Sequence, residues 1–215
     1  MSGMTVRDLF GDAAALGIDL SCYNFSEKDL EDLHEKFKDD KNPYFTIFSK
    51  LNHNFMARQF AVKKYSWAIP SDHALEKIAE FSNRIVEIGA GKGYWAHMLS
   101  KYDCDVVCYD NCIAGNQFTD NDAAWHLIFS GSEKEVANHS DRALMLCWTP
   151  YTSNVAINSL TNYSGDKLIH IGESQGGCTD SDEFFDALDN WKLVEEINIP
   201  QWNGIHDMLS LYSRC

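Results

Sequence analysis

The stretch Arg84-Ile85-Val86-Glu87-Ile88-Gly89-Ala90-Gly91-Lys92-Gly93 decides how this chain folds. Its first half is a short run rich in β-branched residues, which is typical of a strand, and its second half is rich in glycine. Small residues let the backbone approach a ligand closely, and the N–H groups that open a following helix point at that ligand. The stretch therefore predicts a strand that ends in a ligand-binding loop.

Helical and strand patterns alternate on both sides of this loop. Pro70-Ser71-Asp72 predicts a helix start before the strand, and residues 93–101 predict a helix after the loop. Four more strands are predicted at residues 106–109, 126–129, 143–147 and 168–171. Such alternation is typical of an α/β protein with a parallel sheet covered on both faces.

The last part of the chain has a different pattern. Residues 191–199 and 208–212 predict two strands joined by a loop alone, so we expect them to pair as an antiparallel hairpin. Together with the strands before them, they predict five parallel strands and a terminal hairpin.

Residues 1–67 predict an N-terminal helical extension, separate from an α/β domain of residues 68–215. Apolar positions between residues 6 and 16 have helical spacing. Ser26, followed by acidic residues, predicts the cap and first turn of a second helix. Asn42-Pro43 then breaks the chain, and the aromatic-rich residues 44–65 predict a third helix.

Composition excludes several classes of protein. The 215 residues include 18 Lys and Arg against 32 Asp and Glu, a net charge of −14, whereas nucleic-acid binding needs a basic stripe. Seven cysteines, an odd number, and no N-terminal signal-like segment predict reduced thiols and a cytoplasmic protein. No apolar run approaches the roughly 18 residues of a membrane span. The sequence leaves the oligomeric state open.

The spacing of the glycines distinguishes between ligands. A dinucleotide site requires Gly-x-Gly-x-x-Gly or Ala, but Tyr94 occupies the last position of that pattern. A phosphate-binding P-loop requires Gly-Lys followed by Ser or Thr, and Gly93 follows Lys92 here. Both nucleotide-phosphate interpretations are therefore disfavoured.

Glu87, Gly89, Gly91 and Gly93 complete the pattern acidic-x-Gly-x-Gly-x-Gly, which resembles the first motif of class I S-adenosylmethionine-dependent methyltransferases. The resemblance covers about residues 68–215. It implies a Rossmann-like fold with a terminal hairpin, S-adenosylmethionine as the cofactor, and an N-terminal helical region over the substrate site.

The cofactor contacts follow from this resemblance and from the chemistry of the ligand. S-adenosylmethionine has no pyrophosphate, but its cationic amino group and ribose hydroxyls favour hydrogen-bond acceptors. Glu87 and Asp110 are the expected acceptors, because Asp110 ends the second strand about 20 residues beyond the loop, where related folds bind a ribose. Ala90, within the loop, is expected to contact the cofactor as well.

The fourth predicted strand ends in Cys147-Trp148-Thr149-Pro150-Tyr151. Amino-directed methyltransferases carry Asp, Asn or Ser followed by Pro-Pro-aromatic at this place, and only Pro150 and Tyr151 match. Trp148 replaces the polar acceptor, which argues against chemistry on a nucleobase amino group. We expect Trp148 to contact the cofactor and Tyr151 to contribute to catalysis, as parts of an aromatic wall.

Two further catalytic candidates follow other strands. Glu173, after the fifth strand, is predicted to bind a substrate cation or act as a base. His206, in the hairpin loop beside Asp207, is predicted as a general base, because an ordinary imidazole pKa of about 6.5 suits proton removal near neutrality. Cys104, Cys108 and Cys112 lie around one predicted strand without an iron–sulfur spacing, so no metal is predicted.

The sequence thus predicts an S-adenosylmethionine-dependent methyltransferase that acts on a small-molecule or peptide-like substrate. One alternative is an amino-group methyltransferase acting on a nucleobase or an RNA end. The other is a non-catalytic, methyltransferase-like binding module. One cofactor site serves many acceptors, so the sequence does not name the substrate.

Overall fold

A computed structural model describes residues 25–51, 54–111 and 123–215 of the chain. The chain divides into two compact units, with the division between Ala61 and Val62. The helix predicted around residues 6–16 lies outside the described residues. No helix in the described ranges is both long enough and apolar enough to cross a membrane.

The described part of the first unit is helical. Helix α1 spans Glu27–Phe37, α2 spans Pro43–Leu51 and α3 begins at Phe55 and ends at Lys64, beyond the division between the units. Ser26 caps α1 as predicted: the Asp29 backbone N–H donates to the Ser26 hydroxyl, and the Ser26 backbone N–H donates to the Asp29 carboxylate.

The prediction of a single helix over residues 44–65 was wrong, because α2 and α3 are separate helices. The Asn54 side chain accepts a hydrogen bond of 2.9 Å from the Ala57 N–H. Asn54 thereby caps the start of α3, a role for which asparagine is well suited. Aromatic residues on both sides of it conceal this boundary in the sequence.

The second unit contains the predicted alternation of helices and strands. Its helices are α4 (Asp72–Phe81), α5 (Tyr94–Ser100), α6 (Val155–Asn162) and α7 (Asp182–Ala187), with 3-10 turns at Glu133–Asn138 and Leu188–Asn190. Its strands are β1 (Arg84–Ile88), β2 (Asp105–Asp110), β3 (Ile128–Ser130), β4 (Ala143–Cys147), β5 (Lys167–Gly172), β6 (Trp191–Asn198) and β7 (Met208–Arg214).

The described residues form a seven-stranded sheet in the order β3-β2-β1-β4-β5-β7-β6. Strands β1 to β5 pair in parallel, and β7 pairs antiparallel with both β5 and β6. The predictions of a parallel α/β sheet and of a terminal antiparallel hairpin are confirmed.

The central strands are buried, which explains their apolar composition. All of β4 except its last residue is buried, as are the last four residues of β1. Val86 and Ile88 of β1 pack with Leu144 and Leu146 of β4 in a buried hydrophobic cluster. Since β1, β2, β4 and β5 run the same way, their carboxyl ends meet at one edge of the sheet, where ligands of such folds bind.

Candidate functional site

The glycine loop is fastened to the end of β2 by three hydrogen bonds. The backbone N–H groups of Gly89 and Ala90 donate to the Tyr109 carbonyl oxygen at 2.9 and 3.1 Å. The Gly91 N–H donates to Asp110 Oδ2 at 2.9 Å. Asp110, predicted to bind a ribose, therefore also holds the loop, and the structure brings it beside the motif glycines.

The loop conformation explains why glycine occurs at alternate positions. Gly89, Gly91 and Gly93 have φ values of 74°, 55° and 71°, a region that residues with a Cβ rarely adopt. A Cβ on Gly93 would also lie 2.9 Å from the Cβ of His126, whereas a Cβ on Gly89 would meet nothing closer than 3.9 Å. Gly89 is therefore required for its backbone angles rather than for space.

Glu87 is the one acidic residue of β1, and its side chain points into this site. It is 2% exposed, and the Cys108 thiol donates to Glu87 Oε2 at 3.5 Å. Burial raises the pKa of Glu87 to about 8; the bond from Cys108 lowers it and the nearby Asp110 charge raises it further. The Glu87 carboxyl therefore holds a proton near neutral pH.

Two cavities adjoin at the glycine loop. The narrow cavity, about 50 Å³, lies against Glu87, and the wide cavity, about 560 Å³, lies against Asp110 and Asn111. The wide cavity has the size of a small-molecule site, which is usually about 300–1,000 Å³. Five residues line both cavities: Trp67, Gly89, Gly91, Cys147 and Trp148.

An aromatic wall of Trp67 and Trp148 stands where the two cavities meet. Their rings stack with centroids 5.3 Å apart and planes inclined by 28°. Trp148 has a φ of 53°, unusual for a bulky residue, and its indole Nε1–H donates to the buried carboxylate of Asp207 at 2.8 Å. Unusual dihedrals of this kind persist where neighbouring contacts fix them, often at ligand sites.

Tyr65 and Trp125 hold the segment that carries Trp67. Their rings stack at 5.4 Å, and the Trp125 indole N–H donates to the Lys64 carbonyl oxygen at 2.8 Å. Tyr65 lines the narrow cavity together with Trp67. Sequence analysis missed Trp125, because its spacing carries no motif.

A buried polar network supports the turn after β4. The Thr149 hydroxyl donates to Asp180 Oδ1, and His170 Nε2 lies 2.8 Å from Asp180 Oδ2. The Asp180 N–H donates back to the Thr149 carbonyl at 2.9 Å. Sequence analysis missed both Asp180 and His170, since Asp180 lies 31 positions beyond Thr149 and its φ of 55° leaves no sequence pattern.

The three predicted catalytic residues occupy different places. Tyr151 lines the wide cavity and is 59% exposed. Neither Glu173 nor His206 is among the residues that line the two cavities, as far as the described ranges show. Tyr151 is therefore the predicted catalytic residue that the structure brings to the cavities.

Glu173 holds two loops with its carboxylate. Its Oε2 accepts the Cys178 N–H at 2.7 Å and its Oε1 accepts the His206 N–H at 3.0 Å. Burial raises the pKa of Glu173, but the bonds from Cys178 and His206 outweigh burial, so the pKa lies below its usual value. The imidazole of His206 is almost fully exposed, with its Nδ1 3.9 Å from Glu173 Oε1.

Among the residues that the structure describes, the cysteines around β2 form no cluster that could hold a metal ion. Cys104 and Cys108 are buried free thiols, and Cys112 lies outside the described residues. Burial raises the pKa of Cys108, which keeps this thiol protonated as a donor to Glu87. Cys108 therefore belongs to the environment of the acidic motif residue.

Comparison with known proteins gives structural likeness alone. No protein family matches the sequence, and no curated protein matches it. A mutant of MtNAS in complex with S-adenosylmethionine has a TM-score of 0.50 at 14% identity, covering 88% of this chain and 73% of that one. Magnesium protoporphyrin IX methyltransferase from Synechocystis PCC 6803 has a TM-score of 0.48 at 7% identity. The matched region covers 92% of this chain and 100% of that one.

A third solved structure is M. capricolum TrmK in complex with S-adenosyl-homocysteine, with a TM-score of 0.45 at 13% identity over 67% of this chain and 69% of that one. At such identities the likeness concerns the fold. The likeness to MtNAS and the observed strand order agree: the chain has the Rossmann-like fold with an antiparallel hairpin that was predicted for a class I methyltransferase.

Proposed function

We propose that this chain binds S-adenosylmethionine in the two adjoining cavities and transfers its methyl group to a small-molecule or peptide-like acceptor. The observation that carries the proposal is the position of two acidic residues on either side of the glycine loop. Glu87 lies in the narrow cavity, and Asp110 lies in the wide one, bonded to the loop itself.

The residues present fit this cofactor. Glu87 is buried and protonated in the free protein, and it can ionise opposite a cationic amino group. Asp110 lines the wide cavity beside the Gly91 N–H that it accepts, and a carboxylate there suits a ribose hydroxyl, because its oxygens are hydrogen-bond acceptors. The structure of the MtNAS mutant, which shares this fold, contains S-adenosylmethionine by its own description.

The cofactor supplies an electrophilic methyl group on a sulfonium. In the transfer, the acceptor atom bonds to the methyl carbon as the carbon–sulfur bond breaks, the bonding pair stays on the now neutral sulfur, and the acceptor's proton passes to solvent. The protein's contribution is to align the two partners and to exclude water. Trp67 and Trp148, which line both cavities, provide the apolar walls for this purpose.

The charge of the cavity lining disfavours the nucleic-acid alternative. Asp110 is the sole charged side chain among the described residues that line the wide cavity. A polyanion would meet a carboxylate there and no basic stripe. We therefore keep a small or peptide-like acceptor as the proposed substrate class.

The test has two parts. First, calorimetry should detect S-adenosylmethionine binding to the wild-type protein, with affinity lowered at least tenfold by Asp110→Ala and unchanged by Asp166→Ala, a loop carboxylate that lines neither cavity. Second, methyl-labelled cofactor is incubated with the protein and fractionated cell extract. Label should enter metabolites or peptides as S-adenosylhomocysteine accumulates.

Four other outcomes contradict the proposal. Methylthioadenosine as the product would show attack on a different sulfonium carbon, and label confined to RNA would favour the nucleobase alternative. Binding without any turnover in extract would favour a non-catalytic module. Absence of binding by the folded wild-type protein would refute the cofactor assignment itself.

A further inference from the structure

The wide cavity has a charged end and an uncharged end. Asp110 and Asn111 lie at the first end, at the carboxyl end of β2. The other end is formed by residues 148–153, Val155 and Cys178, and none of these is an acidic or basic residue. The charged residues of the narrow cavity, Glu87 and Lys92, do not line this uncharged end.

This distribution restricts the acceptor's charge. An anion that leaves water needs a cation or several hydrogen-bond donors to replace its hydration. The described lining of the uncharged end has hydroxyls but no ammonium or guanidinium group. The Thr149 hydroxyl is already bonded to Asp180, and the Ser153 hydroxyl donates to the Pro150 carbonyl at 2.9 Å.

The shape of this end favours a flat ring. Trp148 cannot rotate freely, because its indole N–H is bonded to Asp207 and its ring is stacked on Trp67. Pro150 and Val155 add apolar surface, and Tyr151 places an exposed aromatic ring at the rim. Aromatic faces held rigidly in this way stack on a planar ligand at little cost in side-chain entropy.

We propose that the acceptor bound at this end is a planar aromatic small molecule that is uncharged or cationic, held between the Trp67–Trp148 wall and Tyr151. This inference rests on the proposed function, because the cofactor takes the end of the cavity that lies against Asp110. Trp148 and Tyr151 then determine specificity: they accept an aromatic ring, and the absence of a basic partner in the described lining rejects an anionic one.

Three naphthalene probes that differ in charge test the proposal at pH 7. They are 2-naphthol, 2-naphthylmethylamine and 2-naphthoate, titrated by calorimetry against protein saturated with S-adenosylhomocysteine. We expect the neutral and cationic probes to bind at least tenfold more tightly than the anion. Tyr151→Ala should weaken 2-naphthol binding about fivefold, the typical value of one aromatic contact.

Phe129→Ala is the matched control, since Phe129 is an aromatic residue with similar exposure, 47%, that lines neither cavity. It should leave 2-naphthol binding unchanged. Adenosine and adenosine monophosphate are a second pair of probes that differ in charge, because the monophosphate carries an anionic phosphate. Adenosine should bind more tightly than adenosine monophosphate.

The outcomes separate this inference from the proposed function. If S-adenosylhomocysteine does not bind, the proposed function fails. If it binds but naphthoate or the monophosphate binds as tightly as its uncharged partner, or if no naphthalene binds, the inference fails while the cofactor assignment stands. Equal weakening by Tyr151→Ala and Phe129→Ala would also overturn it.

Discussion

Replacement of Glu87 by glutamine should change how the stability of this protein depends on pH. The Glu87 pKa is about 8 in the folded protein against 4.5 for an ordinary glutamate, so the folded state binds one more proton between these values. Its stabilising contribution is fully present below pH 4.5 and is lost as the pH rises to about 8. Glutamine keeps the shape of the neutral side chain and cannot ionise.

The magnitude follows from the shift. Each pKa unit corresponds to about 1.36 kcal/mol, so the wild-type protein should lose about 2.5 kcal/mol of unfolding free energy relative to Glu87→Gln between pH 5.5 and 7.5. For a chain of this size, that difference corresponds to about 5–10 °C in Tm. Glu87→Gln should be the more stable protein at pH 7.5.

Thermal unfolding of both proteins at pH 5.5, 6.5 and 7.5 measures the effect, because contributions from groups that do not interact with Glu87 cancel in the difference. Glu76→Gln, which removes an exposed carboxyl on α4, serves as the control and should differ from wild type by the same amount at each pH. A Glu87→Gln difference that stays constant over this range would refute the protonated, buried state of Glu87.

The same proton should leave when a cationic ligand binds. Calorimetry of S-adenosylmethionine binding at pH 6.5 in two buffers with different ionisation enthalpies should reveal proton release by wild type and none by Glu87→Gln. Equal proton release by the two proteins would mean that the ligand's amino group does not meet Glu87.

Four further substitutions test the loops around the site. Gly89→Ala and Gly176→Ala each place a side chain at a positive φ without a steric clash, so both should cost about 1–2 kcal/mol in urea unfolding, and Gly89→Ala alone should weaken S-adenosylmethionine binding. Glu173→Gln should lower the free energy of unfolding by about 1–3 kcal/mol at pH 7. This loss should shrink as the pH falls through the lowered pKa of Glu173, and equal losses at pH 7 and pH 3 would contradict the prediction. Asp180→Ala should lower the free energy of unfolding by about 2–5 kcal/mol, because Thr149 and His170 lose a shared buried partner. It should also increase protease cleavage near Tyr151. An unchanged cleavage pattern would show that Asp180 does not hold the turn.

The sheet was predictable because local patterns determine it. The β-branched residues of the run Ile85–Ile88 and the glycines after it mark β1 and its loop, and the boundaries of β4 agree with the prediction to the residue. The division between α2 and α3 was not predictable in this way, since Asn54 acts as a cap through one side-chain bond within an aromatic-rich stretch.

The placement of the candidate site residues was predictable where it depends on one motif. Glu87, the glycines and Asp110 are close in sequence or end adjacent strands, and they lie together as expected. The supports of Trp148 and Thr149 were missed, because Asp207 and Asp180 approach them only through packing of the loops after β5 and β6. His206 was predicted as a general base from its residue type alone. Its side chain is exposed, which the residue type does not predict.

Glu173 also connects two loops at the carboxyl end of β5. One carboxylate joins a loop that follows β5 to a loop that precedes β7, through a separate oxygen to each amide. The charge of Glu173 therefore stabilises both contacts, and the amides of Cys178 and His206 should both exchange their hydrogens more slowly in the wild-type protein than in Glu173→Gln. Loss of that one anion would weaken two loop contacts at the same time.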